Sequence, residues 1–175
     1  MEKKTINLKE ASFSQAINIS AKWCKEWEED LLSEEVLADR IAELIKTKNG
    51  LRGFFAYALS DRDCYLLDKL PFSILFKFTE GGGNIVEIVV KNLIMSSAQI
   101  IVHRRNNDLE YELSSERISE RCKCILRLLE TNLVTNTINQ IIKDLDNLSN
   151  SFDKSIKYDH QQKEFIKKQI FNIAQ

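Results

Sequence analysis

The sequence predicts a mainly α protein: a bundle-like, single helical domain with one small β element. Three observations carry that expectation. Apolar residues recur at helical spacing along most of the chain, cap-forming Ser and Asn residues precede those stretches, and a single proline interrupts 175 residues. A hydrophobic share of 43% beside a charged share of 29% suits a chain that buries a core rather than a disordered or fibrous one.

The first helix is expected to begin at Ser12, where Ser12-x-x-Gln15 matches a capping box. Phe13, Ala16, Ile17, Ser20, Cys24, Trp27 and Leu31 then share one face, and Glu26, Glu28, Glu29 and Asp30 cover the outer side. A second helix follows Ser33, with Leu37, Ile41, Leu44 and Ile45 in phase, and Asn49-Gly50 supplies its left-handed stop. Together they make a helical hairpin.

Gly53 to Leu59 (GFFAYAL) is short, aromatic and bounded by Gly53 and Ser60-Asp61, so it reads as a strand followed by a turn at Asp61-Arg62-Asp63. Its partner is Tyr65 to Leu67 or the same strand of a second copy across a dimer axis. Pro71 to Glu80 reads as a short helix ended by Gly81-Gly82-Gly83, although the alternation of Ile74, Phe76 and Phe78 leaves a strand open. Residues 85–105 are rich in β-branched side chains yet too long for a strand. A helix is preferred there, because Asn84-x-x-Glu87 resembles a capping box and His103-Arg104-Arg105 brings positive charge to the opposite end. The alternative fold is α+β, with an antiparallel sheet drawn from residues 53–105.

A further helix opens at Ser114 or Ser115 and carries Ile118, Cys122, Ile125 and Leu129. Its phase shifts near Asn132 before Val134, Ile138, Ile141, Leu145 and Leu148. Ser149-Asn150-Ser151 breaks the pattern, and a last helix holds Phe152, Ile156, Phe165, Ile166 and Ile170. The expected organisation is one helical globular domain over residues 1–150, then a C-terminal helix, 151–175, that docks on it or reaches outward.

Charge excludes more than it suggests. With 25 basic and 26 acidic side chains, the net charge of -1 gives no field that would gather nucleic acid or an anionic membrane. No apolar segment follows the N-terminal lysines, and Glu87, Lys91, Asn92, Ser96, Ser97 and Gln99 interrupt the most apolar stretch. The expectation is therefore a cytoplasmic protein without membrane or nucleic-acid partners, its cysteines Cys24, Cys64, Cys122 and Cys124 reduced.

Motifs for cofactors and metals are missing. Cys122-Lys123-Cys124 places its thiols about 200° apart on a helix, and no Cys-x-x-Cys, His-x-x-x-His or His-Glu-x-x-His exists, so no metal is expected. Gly81-Gly82-Gly83-Asn84 lacks the residues of a nucleotide-binding loop, and no cofactor is expected. Asp61-Arg62-Asp63 fits an Asx-type turn better than a cation site.

One constellation stands out. On a helix, Asn92, Ser96, Gln99 and His103 fall within an arc of roughly 60°, a narrow polar stripe on an otherwise apolar surface. Such a stripe lines a pocket, meets another helix, or faces solvent; as a pocket it would use His103 for proton transfer and Arg104 or Arg105 to hold an anion. Trp23 and Trp27 form either a partner-binding ridge or core, depending on which way the Cys24 face points. The expected function is a non-enzymatic protein–protein interaction or regulatory role, as a homodimer with an unidentified protein partner. The alternative is an enzyme or small-ligand-binding protein using the stripe.

Overall fold

The computed structural model describes residues 7–146, 157–171 and 173, with side chains described to residue 143 and again from 157. The described residues form a 3-10 turn at Leu8–Glu10 and seven α-helices: α1 (Phe13–Glu28), α2 (Glu34–Leu44), α3 (Lys48–Ser60), α4 (Phe72–Arg105), α5 (Leu109–Leu128), α6 (Thr131–Asp146) and α7 (His160–Phe171). No strand occurs among the described residues. The protein is mainly α, and both the small β element and the α+β alternative are corrected.

The chain divides into two compact units, Met1–Gly81 and Gly82–Gln175. The boundary is Gly82, whose φ of 54° and ψ of -132° interrupt α4 and leave two helical arms, residues 72–81 and 83–105. The boundary expected at residue 150 lies outside the described residues, as do Ser149-Asn150-Ser151, Phe152 and Ile156.

In the first unit, α1 starts as expected. The Ser12 hydroxyl accepts the Gln15 N–H at 3.2 Å and the Gln15 side chain accepts the Ser12 N–H at 2.8 Å. Asp30, with φ 57°, ends it in a Schellman arrangement, its own N–H reaching Trp27 and that of Leu31 reaching Glu26. Ser33 caps α2 through the Val36 N–H.

The region read as a strand is α3. Thr47 caps it by accepting the Gly50 N–H at 3.0 Å, so Asn49-Gly50 opens a helix instead of stopping one. Its buried residues are Gly50, Gly53, Phe54, Phe55, Ala58 and Leu59, a helical succession and not an alternating one. The local turn chemistry and aromatic content that suggested a strand were overridden by tertiary burial on that face. With the strand goes the edge that was to pair across a dimer axis.

Residues 72–81 complete this unit. Ile74 and Phe78, one turn apart, are buried, and Phe78 meets Phe54 and Phe55 at ring distances of 5.9 and 5.3 Å. Phe72 and Phe76, each two positions from Ile74, therefore face outward.

In the second unit, residues 83–105 are helical as expected and bury Ile85, Val86, Val89, Val90, Leu93, Ile94, Ile100 and Ile101. α4 is long and apolar enough to cross a membrane, yet 61% of its most apolar window is buried within the protein. Asn107, at φ 55°, ends it with a second Schellman pattern. α5 starts at Leu109, earlier than Ser114. The phase shift at Asn132 is a true helix break, where the Glu130 carboxylate caps α6 by accepting the N–H groups of Asn132 and Leu133. α7 lies against the other helices of the unit through buried Ile166 and Ile170, with Gln162 donating to the Ala98 carbonyl and Gln169 accepting from Lys123.

Candidate functional site

The polar stripe lies on the 83–105 arm of α4, and two of its side chains bond that helix's own backbone. Asn92 donates its amide to the Ile88 carbonyl at 2.8 Å, and buried Ser96 donates its hydroxyl to the Leu93 carbonyl at 3.1 Å. Gln99 is exposed, and the half-buried His103 ring stacks on Tyr111 at 5.5 Å and 26°.

Both arginines beyond the stripe are already matched by carboxylates. Arg104 bonds Glu112 through Nε at 2.8 Å, approaches Glu116 at 3.5 Å and covers the Phe165 ring. Arg105 grips Asp159 with two bonds, at 2.6 and 3.2 Å, and also donates to Gln161. This pairing raises the Arg105 guanidinium and holds the Asp159 carboxyl down at about 2. The arginine fork that would receive an anion instead ties the end of α4 to the start of α7.

The other motifs resolve structurally. Asp61 accepts the N–H groups of Asp63 and Cys64, each at 2.9 Å, the expected Asx turn. Arg52 lies over the Phe13 ring at 5.1 Å. Cys122 is buried and Cys124 exposed, on opposite sides of α5. Cys24 points inward, leaving Trp23 beneath the Arg40 guanidinium and Trp27 against the Tyr65 ring at 5.4 Å.

Thiol chemistry is damped as well. The Cys24 thiol is pushed far up by its hydrogen bond with Cys64 and by burial, and Cys122 is pushed up by burial alone. A nucleophilic cysteine needs the opposite shift, so both of these behave as small core residues. Burial also raises the Tyr57 phenol. Among the described residues no three His, Cys, Asp or Glu side chains cluster as a metal ion would require.

The feature that no motif announced is a groove in the first unit. It runs between α2 and the 72–81 arm of α4, has a volume of about 410 Å³ and is open to solvent. Phe72, 79% exposed, and Phe76, 53% exposed, form one wall; Ala38 forms the floor; Glu35, Asp39 and Lys77 stand on the rim. Glu34 accepts both the N–H and the hydroxyl of Ser73, which fixes the start of the arm against α2. Lys77 pairs with Asp39 at 3.0 Å and with Glu80 at 3.8 Å.

The sequence model of the family described as Uncharacterised conserved protein UCP020893 matches residues 12–173. The chain belongs to that family. The match begins at the α1 cap and ends beyond α7, so it takes in both units, the stripe and the groove. No curated protein and no solved structure matches the chain.

In this family member, sequence reasoning found the stripe and missed the groove. The signal for it lies in residues 72–78: once they are helical, Ile74 and Phe78 cannot be buried with Phe72 and Phe76 on the same side. Four large apolar side chains on two faces of a short arm mean that two are left outside.

Proposed function

We propose that this protein is a non-enzymatic protein-interaction module whose docking surface is the groove between α2 and residues 72–81. The observation that carries the reading is the pair of exposed phenylalanines one turn apart beside an apolar floor. Contiguous exposed aromatic surface is unfavourable in water and marks a place where a partner sits. Support comes from the chemistry of the remaining groups: Arg104 and Arg105 are paired with carboxylates, two thiols are held protonated, and Asn92 and Ser96 bond their own helix. An open groove also suits a protein segment better than a small molecule, which binds where most of its surface is enclosed.

The test compares the immobilised protein with its Phe72→Ser/Phe76→Ser variant in extracts of its own cells. The expected result is a protein retained by the wild type and lost by the variant, whose melting temperature stays within about 2 °C because both side chains are exposed. Equal retention by both would remove the groove from function. A small metabolite that raises the melting temperature of the wild type but not of His103→Ala would move function to the stripe.

A further inference from the structure

Resting on the docking reading above, we infer that the groove takes an amphipathic helix bearing two apolar side chains one turn apart, flanked by lysines or arginines. The argument combines shape with charge. Phe72 and Phe76 are spaced by one helical turn, and a helix laid alongside them presents anchors at the same interval. The volume of about 410 Å³ accommodates a few side chains, not a whole folded surface.

The rim supplies the sign of the partner. Glu35 and Asp39 line the groove with one cation, Lys77, and that cation is already paired with Asp39 and with Glu80, one turn beyond Phe76. Asp39 remains 73% exposed, so its charge reaches anything seated in the groove. As lining residues, Glu35 and Asp39 lie within one Debye length, about 8 Å at physiological salt, of a bound helix. A second copy docking by a two-fold axis would bring these acidic rims face to face, which costs energy instead of releasing it. An anionic membrane or nucleic acid meets the same repulsion. A basic amphipathic helix satisfies both the floor and the rim.

Fluorescence anisotropy of the full chain tests this with three labelled, alanine-based helical peptides: one with leucines one turn apart among lysines, a twin with every lysine replaced by glutamate, and a lysine peptide lacking the leucines. The lysine–leucine peptide is expected to bind at least tenfold more tightly than either control, with the gap closing as salt is raised. Glu35→Lys/Asp39→Lys should narrow the preference between the lysine and glutamate peptides, and Phe76→Ser should weaken binding. If Phe76→Ser lowers the melting temperature, the more exposed Phe72→Ser replaces it.

Equal binding of the lysine and glutamate twins, abolished by the phenylalanine variant, would overturn the basic partner and leave the docking reading standing. Absence of binding by the lysine–leucine peptide, or equal binding by its leucine-free control, would also overturn it, while the extract experiment judges docking separately. A dimer by light scattering that Phe76→Ser dissociates would make a second copy the occupant and overturn the inference.

Discussion

Gly53 shows how one residue decides an element pair. A Cβ built there would stand 2.5 Å from the Ala16 Cβ and 3.0 Å from the Phe13 carbonyl oxygen, so α1 and α3 approach at this point nearly backbone to backbone. Glycine inside a helix is disfavoured by roughly 1 kcal/mol relative to alanine, and the chain accepts that because contact with α1 requires it. Gly53→Ala should therefore lower stability by about 1–3 kcal/mol in urea unfolding, despite its gain in helix propensity. Ala16→Gly in the same chain should restore part of the loss, since the two sites share one contact. An unchanged midpoint for Gly53→Ala would show that the helices separate without penalty. The same residue helped mislead the sequence reading: a glycine before two phenylalanines looks like a strand boundary until the face it shares with Phe54 and Ala58 is known to be buried.

At the scale of elements, the two glycines beside the α4 interruption make a controlled pair. Both have open space where a Cβ would go, but only Gly82 has a positive φ, 54°. Gly82→Ala should destabilise by about 1–3 kcal/mol through backbone strain alone, while Gly83→Ala should be neutral or stabilise by up to about 1 kcal/mol. Equal effects in thermal unfolding would mean that the interruption tolerates an L residue. The starts of α1 and α2 were legible because their signals are local: Ser12 with Gln15, and Ser33 with Val36, make the bonds their spacing implies, whereas α5 opens at Leu109 and not at Ser114. Stops and types were less legible wherever a local signal has two meanings. Asn49-Gly50 serves a helix stop and a first helical turn equally well, and what decided between them was the Thr47 cap. Likewise, alternating Ile74, Phe76 and Phe78 read as a possible strand, yet on a helix the same three residues divide into two that are buried and one that is not.

For the whole molecule, the stripe was legible because it is a pattern within one helix, whereas the groove depends on α2 and α4 meeting, which no periodicity records. Electrostatics follow the same division: with 25 basic and 26 acidic groups the net charge is silent, and pH sensitivity comes from particular contacts. Asp159 is held at about 2 by its bonds from Arg105 and from the Gln162 N–H, below the ordinary carboxylate value of 3.8. Its contribution is therefore complete above that ordinary value and is lost as pH falls toward about 2. Glu28 acts in the opposite sense. Burial and the neighbouring charges of Asp61, Asp63 and Glu29 raise its carboxyl, with the Tyr65 N–H only partly relieving the cost. A carboxyl raised on folding favours the native state while protonated, so its effect turns unfavourable as pH rises through the ordinary carboxylate range. Asp159→Asn should thus be less stable than the wild type near pH 7 and converge with it near pH 2, whereas Glu28→Gln should be more stable near pH 7 and lose that advantage near pH 3. Urea midpoints followed across that range read both effects at once: two curves that depart from the wild type in opposite directions on the neutral side establish that the contacts set the acid response, and two that run parallel to it would assign the response to charge spread over the surface.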